Sequence, residues 1–243
     1  MIDEIKKPFL SIITVTLNDA DNLLKTVQSI KTQTFDNLEL IVIDGKSNDH
    51  TCNIIRANID IIKKWQSEKD GGIYQAMNKG IDLAEGDYTL FLNSGDTFTE
   101  PDVLRKACEE INKFEANIFY TDYKVGAEKV IQNLSLIYLF RKMICHQTIF
   151  YNTHQLKINK YNESMRFAAD YEHLLRNYSR LIHKKIDVTL VNYDANGISS
   201  NPKNYAKIWA ERLTALRQAN INPIMKLSMR CYAFLAMTIR SKK

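Results

Sequence analysis

The residues best equipped for chemistry sit where apolar runs stop. Asp87-Tyr88-Thr89-Leu90-Phe91-Leu92-Asn93-Ser94-Gly95-Asp96 is a hydrophobic strand that runs directly into a short polar turn ending in a carboxylate. A carboxylate at the end of a buried strand marks a site, because burying a charge costs free energy unless a partner compensates it. Upstream, the polar stretch Glu68 to Gly72 leads into an apolar helical repeat at Ile73, Met77 and Ile81. Asn18-Asp19 and Asp44 to Asp49 also follow apolar runs directly. Polar loops opening on one sheet edge imply a shared ligand.

The elements that would position these groups alternate. Phe9 to Leu17 is β-branched and almost continuously apolar, as a central parallel strand covered on both faces should be. Asp21 offers an N-cap, and Leu23, Leu24, Val27 and Ile30 share one helical stripe over Asn22 to Thr32. Leu38 to Ile43, Ile59 to Gln66 and Tyr88 to Leu92 read as further strands, with helices at Thr51 to Arg56 and Ile73 to Ala84. Four strands with intervening helices call for an α/β fold with a doubly wound sheet. In such a sheet ligands bind beyond the carboxyl ends of the strands, where all four polar clusters fall.

After Asp96 the pattern becomes mixed. It comprises a helix from Pro101 to Lys113, a strand from Asn117 to Tyr123 and a hairpin over Lys124 to Gln132. A strand at Cys145 to Tyr151, a helix at Ala168 to Arg180 and a strand at Lys185 to Asn192 complete it. No internal repeat or low-complexity linker interrupts the chain. A second half built onto the same sheet is therefore expected, giving one domain over residues 1–202.

Composition narrows the class. With 243 residues, 45% hydrophobic and 10% aromatic, the chain can bury a substantial core. Cys52, Cys108, Cys145 and Cys231 are scattered without a C-x-x-C pair, which fits reduced thiols and neither a disulfide framework nor a zinc site. The first residues lack the basic start and apolar run of a secretory signal. The apolar runs Leu134 to Phe140 and Cys231 to Ile239 fall far short of the ~20 residues a spanning helix needs. A cytoplasmic protein is the expectation.

The net charge of +5 is uneven. Residues 203–243 hold nine Lys or Arg against the single Glu211, which leaves the first 202 residues net negative. Trp209, Leu213, Leu216, Met225, Leu227, Tyr232, Phe234 and Leu235 lie among those basic residues, as in an interfacial helix. Such a tail would hold the protein peripherally on the anionic inner face of the plasma membrane. The other reading is a helix packed on the preceding domain with a solvated basic face.

Taken in order, several motifs resemble the nucleotide-sugar half of family 2 glycosyltransferases. They are Val42-Ile43-Asp44-Gly45-Lys46-Ser47-Asn48-Asp49-His50-Thr51, Asp70-Gly71-Gly72-Ile73-Tyr74, Ala76-Met77-Asn78-Lys79-Gly80 and Leu92-Asn93-Ser94-Gly95-Asp96. The resemblance covers roughly residues 9–200 and is closest to bacterial members that build capsule, colanic acid or O-antigen. It implies a GT-A fold, a Rossmann-like mixed sheet flanked by helices, with a nucleotide-sugar half at about 9–100 and an acceptor half at about 101–202. It also implies a nucleoside diphosphate sugar donor, a divalent metal (Mg2+ or Mn2+), inversion by single displacement and a lipid-linked saccharide acceptor.

The resemblance assigns roles residue by residue. Asp96 is the expected metal ligand, alone in a turn that commonly carries two or three aspartates, with Asn93 contributing through its carbonyl or a water. Asp44 would accept from the uracil N–H, with Asn18 and Asp70 as further nucleotide contacts. Lys79 is either a phosphate ligand or a solvated helix residue. Asp170 would be the base that takes the acceptor's proton, with Glu172 a nearby rival. His146, in Cys145-His146-Gln147, would touch the diphosphate or the metal. Asp194 to Ser200 resembles a donor-covering loop, with Gly197 and Ser199 its key residues.

Other classes fit less well. A dinucleotide oxidoreductase needs G-x-G-x-x-G after the first strand, and Leu17-Asn18-Asp19-Ala20-Asp21 has no glycine. A sugar nucleotidylyltransferase would want a Gly- and Arg-rich loop there, which is also missing. A basic adaptor for membrane or nucleic acid would rest on the tail alone, and no nucleic-acid partner is expected.

Overall fold

The computed structural model describes residues 7–197, 200–223 and 226–228. Strands β1 (Leu10–Thr16), β2 (Leu38–Asp44), β3 (Ile62–Ser67) and β4 (Tyr88–Phe91) form a parallel unit in the order β3-β2-β1-β4. Helices α1 (Ala20–Lys31), α2 (Thr51–Ala57) and α3 (Ile73–Leu83) connect them. All seven residues of β1 are buried. Ile13 and Val15 enter one core and Leu10 and Ile12 the other. In β2, Ile41 and Ile43 likewise oppose Leu40 and Val42. This period-two division is why both strands read as continuous apolar runs: each face meets a helical layer.

The second half extends the same sheet. It contains β5 (Thr97–Phe98), α4 (Val103–Ile111), β6 (Ile118–Val125), β7 (Glu128–Val130) and α5 (Leu136–Arg141). Then come β8 (Ile149–Asn152), α6 (Thr153–Ile158), α7 (Ala169–Asn177), β9 (His183–Asn192) and α8 (Tyr205–Gln218). β8 runs antiparallel to β4 and β6, β9 runs parallel to β6, and β5 closes the edge antiparallel to β9. The result is a mixed sheet flanked by helices.

Several expected boundaries move. α1 begins at Ala20, so Asp19 rather than Asp21 takes its N-cap position. The third strand begins at Ile62 rather than Ile59, because the Ile61 and Ile62 amides first bond the Asn58 carbonyl in a turn that leaves Ile59 exposed. The strand expected at Cys145 to Tyr151 is a 3-10 turn over His146–Thr148 followed by β8. The short α5 and α6 carry too few turns for a periodic signal to emerge.

α8 packs against α7, burying Trp209, Arg212, Ala215 and Leu216, while Lys203, Lys207 and Arg217 stay exposed. Met225, Tyr232, Phe234 and Leu235 of the tail lie outside the described residues.

Within α7, His173 is buried edge-on against Tyr151 and Tyr161, at 5.7 and 5.3 Å between ring centroids. Burial, with the Arg176 charge adding, pushes its imidazole down to about 4. The unfolded chain therefore binds a proton below about pH 6.5 that the folded chain refuses until about pH 4. The His173 share of the stability is full above pH 6.5 and falls by about 3 kcal/mol as the pH drops to 4. Urea denaturation of the parent and of His173→Phe across that range should show the parent losing stability relative to the variant by about that amount; equal slopes would remove His173 as the cause.

Candidate active site

Because β1, β2, β3 and β4 are parallel, Thr16, Asp44, Ser67 and Phe91 all end on one edge of the sheet. The loops after β1 and β2 are pinned to each other there. The Asn18 amide N–H donates to Ser47 Oγ at 2.7 Å, and Asn18 Oδ1 accepts from the Asn48 amide at 2.8 Å. Asn18 holds φ 51° in this link, a left-handed conformation that Asn tolerates better than most residues.

Asp44 is fully buried beneath these loops. Its carboxylate accepts from the Ser47 amide and hydroxyl and from Ser67 Oγ at 2.5 Å, so β2, β3 and the intervening turn are tied together through it. Asp70 accepts from the Gly72 amide at 3.0 Å and lies against Gly45, where a Cβ would come within 2.9 Å of Asp70 Oδ2. Asn18, Asp44 and Asp70 thus surround one corner of the sheet edge. Lys79 on α3 pairs with Glu68 at 2.6 Å just after β3.

The turn after β4 presents Asp96. Gly95 adopts φ +98°, a region glycine enters freely, and a Cβ there would also meet Asp194 Oδ2 at 2.7 Å. Thr26 of α1 holds the turn, donating to the Asp96 carbonyl at 2.8 Å and accepting from the Gly95 amide at 3.0 Å. The Asp96 carboxyl is 2% exposed. It accepts from Gln147 Nε2 at 2.9 Å and from the Asp194 amide at 2.8 Å. Burial pushes it up to about 6 against those two hydrogen bonds, with the Asp194 carboxylate adding to the rise.

His146, beside Gln147 on the 3-10 turn, reaches the other way. Its Nδ1 lies 3.2 Å from Asp170 Oδ2 and its Nε2 3.1 Å from Asn93 Nδ2. A carboxylate can only accept, so this contact places the ring proton on Nδ1 and leaves Nε2 to accept from Asn93. Asp170 Oδ1 takes the Tyr74 hydroxyl at 3.0 Å and the Tyr171 amide at 2.9 Å. Burial, and then the Asp170 charge, raise the Tyr74 phenol well above its ordinary value, which keeps it a donor. Consecutive residues of one short turn therefore contact Asp96 and Asp170.

Gln132, 1% exposed, fixes that turn. Its Oε1 accepts from the Cys145 amide at 2.6 Å, and its Nε2 donates to Thr148 Oγ1 at 2.6 Å and to the Thr121 carbonyl at 2.7 Å. Sequence reasoning did not single out Gln132, Tyr74 or the Asp194 amide, because their contacts join segments far apart in the chain. Glu172 stays out of the cluster and pairs with Arg176 at 2.8 Å. Gly197 lies three residues past Asp194, its carbonyl accepting from the Ser200 amide at 3.1 Å; Ser199 lies outside the described residues.

No group of three or more His, Cys, Asp or Glu side chains among the described residues forms a ready-made cation cage. Asn93, Asp96 and Asp194 do supply oxygens of the kind a hard cation takes. Asn93 Oδ1 is buried without a hydrogen-bond partner, and the Asp96 and Asp194 carboxylates lie close enough to raise the Asp96 proton affinity. Mg2+ and Mn2+ take such oxygen ligands and accept water or phosphate for the rest.

Residues 11–179 match the family described as glycosyl transferase family 2. A PGL/p-HBAD biosynthesis glycosyltransferase of Mycobacterium bovis is 34% identical over 208 residues, covering 80% of each chain. Among solved structures, Staphylococcus aureus TarS 1-349 in complex with UDP-GlcNAc superposes with a TM-score of 0.73 at 18% identity, covering 93% of this chain and 71% of that one. The mannosyltransferase PcManGT of Pyrobaculum calidifontis, in complex with GDP-Man and Mn2+, gives 0.72 at 14% identity, covering 94% and 70%. The fold is thus the GT-A arrangement of these glycosyltransferases. With the family model spanning both Asp96 and Asp170, this chain belongs to glycosyl transferase family 2.

Proposed function

We propose that the protein transfers a sugar, with inversion, from a UDP-sugar to a hydroxyl of a lipid-linked saccharide during assembly of a bacterial surface polysaccharide such as capsule or O-antigen. The observation that carries this reading is the turn over His146–Thr148, which ties Asp96 to Asp170 through adjacent side chains. A charge-handling group for the leaving diphosphate and an acceptor for the incoming hydroxyl's proton then share one cleft.

Asp96, with Asn93 Oδ1 and the Asp194 carboxylate, would hold a divalent cation, which supplies neutralisation of the charge that develops on the departing diphosphate. Asn18, Asp44 and Asp70 form the corner for the nucleoside, where Asp44 presents its carboxylate to the base once the Ser47 loop yields a hydrogen bond. Lys79, held by Glu68, stands as a reserve phosphate contact. The loop containing Gly197 and Ser199 covers the donor, anchored through the Asp194 amide.

Asp170 acts on the acceptor. As the hydroxyl oxygen bonds to the anomeric carbon, the bond from that carbon to the diphosphate oxygen breaks and its electron pair leaves with UDP. The hydroxyl proton passes to Asp170 Oδ2, whose single hydrogen bond from His146 leaves a lone pair free. Tyr74 and the Tyr171 amide fix the other oxygen, so the receiving atom keeps its place beside His146.

No helix among the described residues is long and apolar enough to cross a membrane. The basic surplus of residues 203–243, including the exposed Lys203, Lys207 and Arg217, suits peripheral contact with an anionic surface on the cytoplasmic side, where a lipid-linked acceptor is presented.

Tryptophan fluorescence with UDP should show binding that strengthens at least tenfold when Mn2+ is added. A panel of UDP-sugars should then identify one that is hydrolysed. UDP affinity indifferent to Mn2+ would contradict the metal-assisted reading.

A further inference from the structure

Glu211 is the only acidic residue between Lys203 and Lys243, yet among the described residues its carboxylate forms no ion pair with the surrounding cations. It faces backbone instead. Glu211 Oε1 accepts from the Arg166 amide at 2.8 Å, and Oε2 accepts from the Phe167 and Ala168 amides at 2.8 and 2.9 Å. These three residues lead directly into α7, whose second residue is Asp170. Ala168 is the N-cap, and its own amide at the helix start is satisfied by a carboxylate more than forty residues further along the chain, at the end of the helix dipole that favours negative charge.

The next residue clamps the other side. The Arg212 guanidinium lies 4.9 Å from the centroid of the Tyr171 ring, and its Nη2 donates to the Leu139 and Phe140 carbonyls at 3.3 Å. Glu211 thus holds the three residues before the first turn of α7, and Arg212 holds the residue that follows Asp170. Both come from α8.

We propose that Glu211 is a positioning residue for the transfer reaction: by fixing the Arg166–Ala168 backbone it sets Asp170 in register with His146 and Tyr74. The proposal rests on Asp170 being the base. Three charge-assisted bonds converging on one short segment resist displacement more strongly than neutral ones would. Loss of them would let the start of α7 shift, and a displacement of about 1 Å at a reacting group can cost about a hundredfold in rate.

The test uses the full chain with Mn2+ and the UDP-sugar found to be turned over in a donor panel. Glu211→Ala should lower kcat for UDP release about 10- to 100-fold, while UDP affinity by calorimetry stays within twofold. Glu211→Gln keeps the reach and one acceptor oxygen but turns an N–H toward a backbone donor, so it should fall between Ala and the parent; it serves alone if the alanine variant does not fold. Hydrogen exchange at residues 166–171 should accelerate in both. Normal kcat per folded molecule, or exchange unchanged in that segment, would overturn the proposal. Asp170→Asn measured alongside separates the two ideas. If Asp170→Asn is inactive and the Glu211 variants are not, only the positioning role fails; if Asp170→Asn turns over normally, the base assignment fails first.

Discussion

Asp170→Asn should lose turnover by about 10²- to 10⁴-fold while binding UDP as tightly as the parent, within a factor of two. The substitution is nearly isosteric and keeps an oxygen to accept from the Tyr74 hydroxyl and the Tyr171 amide. It therefore removes the proton acceptor with little disturbance of α7. Measured kcat and a calorimetric UDP isotherm on the same preparation decide the matter. Parent-like kcat would show that another group takes the proton, and loss of UDP binding would show that Asp170 belongs to the donor pocket.

Asp96→Ala should abolish the gain in UDP affinity that Mn2+ confers, a drop of roughly tenfold or more in metal-dependent binding. Asp96 sits between the Gln147 amide and the Asp194 backbone, and its raised proton affinity shows how poorly its surroundings stabilise a bare charge. A cation would relieve that deficit, as it would satisfy the unpartnered Asn93 Oδ1. The variant's metal-free UDP affinity should be close to the parent's, because Asn18, Asp44 and Asp70 lie at a different corner of the sheet edge. Retention of the full Mn2+ effect would remove Asp96 as a metal ligand.

The sequence made the first half of the fold legible because its strands are buried on both faces. Ile13 and Val15 opposite Leu10 and Ile12 leave an unmistakable apolar run, and the polar loops then stand out at its ends. The 145–151 segment misled because Ile149, Phe150 and Tyr151 supply strand character that hides a three-residue turn before them. That turn is what joins the two carboxylates. Asp170 is singled out in the sequence only through family resemblance, since one acidic residue near a helix start also answers a dipole. Glu211 was hidden because its partners are backbone amides, and amides leave no trace in residue identity. Gln132 was hidden for a similar reason: two of its four bonded partners are backbone atoms, and the turn it holds is set by long-range packing.

The central claim is that Asp96 and Asp170 address one donor from the two sides of the turn over His146–Thr148. A crystal structure of the full chain with UDP and Mn2+, with the metal located by its anomalous scattering, tests it most directly. The account predicts manganese bound to an Asp96 oxygen and the UDP β-phosphate, with Asp170 Oδ2 facing the space beyond that phosphate. Manganese bound elsewhere, or a diphosphate turned away from His146 and Asp170, would contradict it.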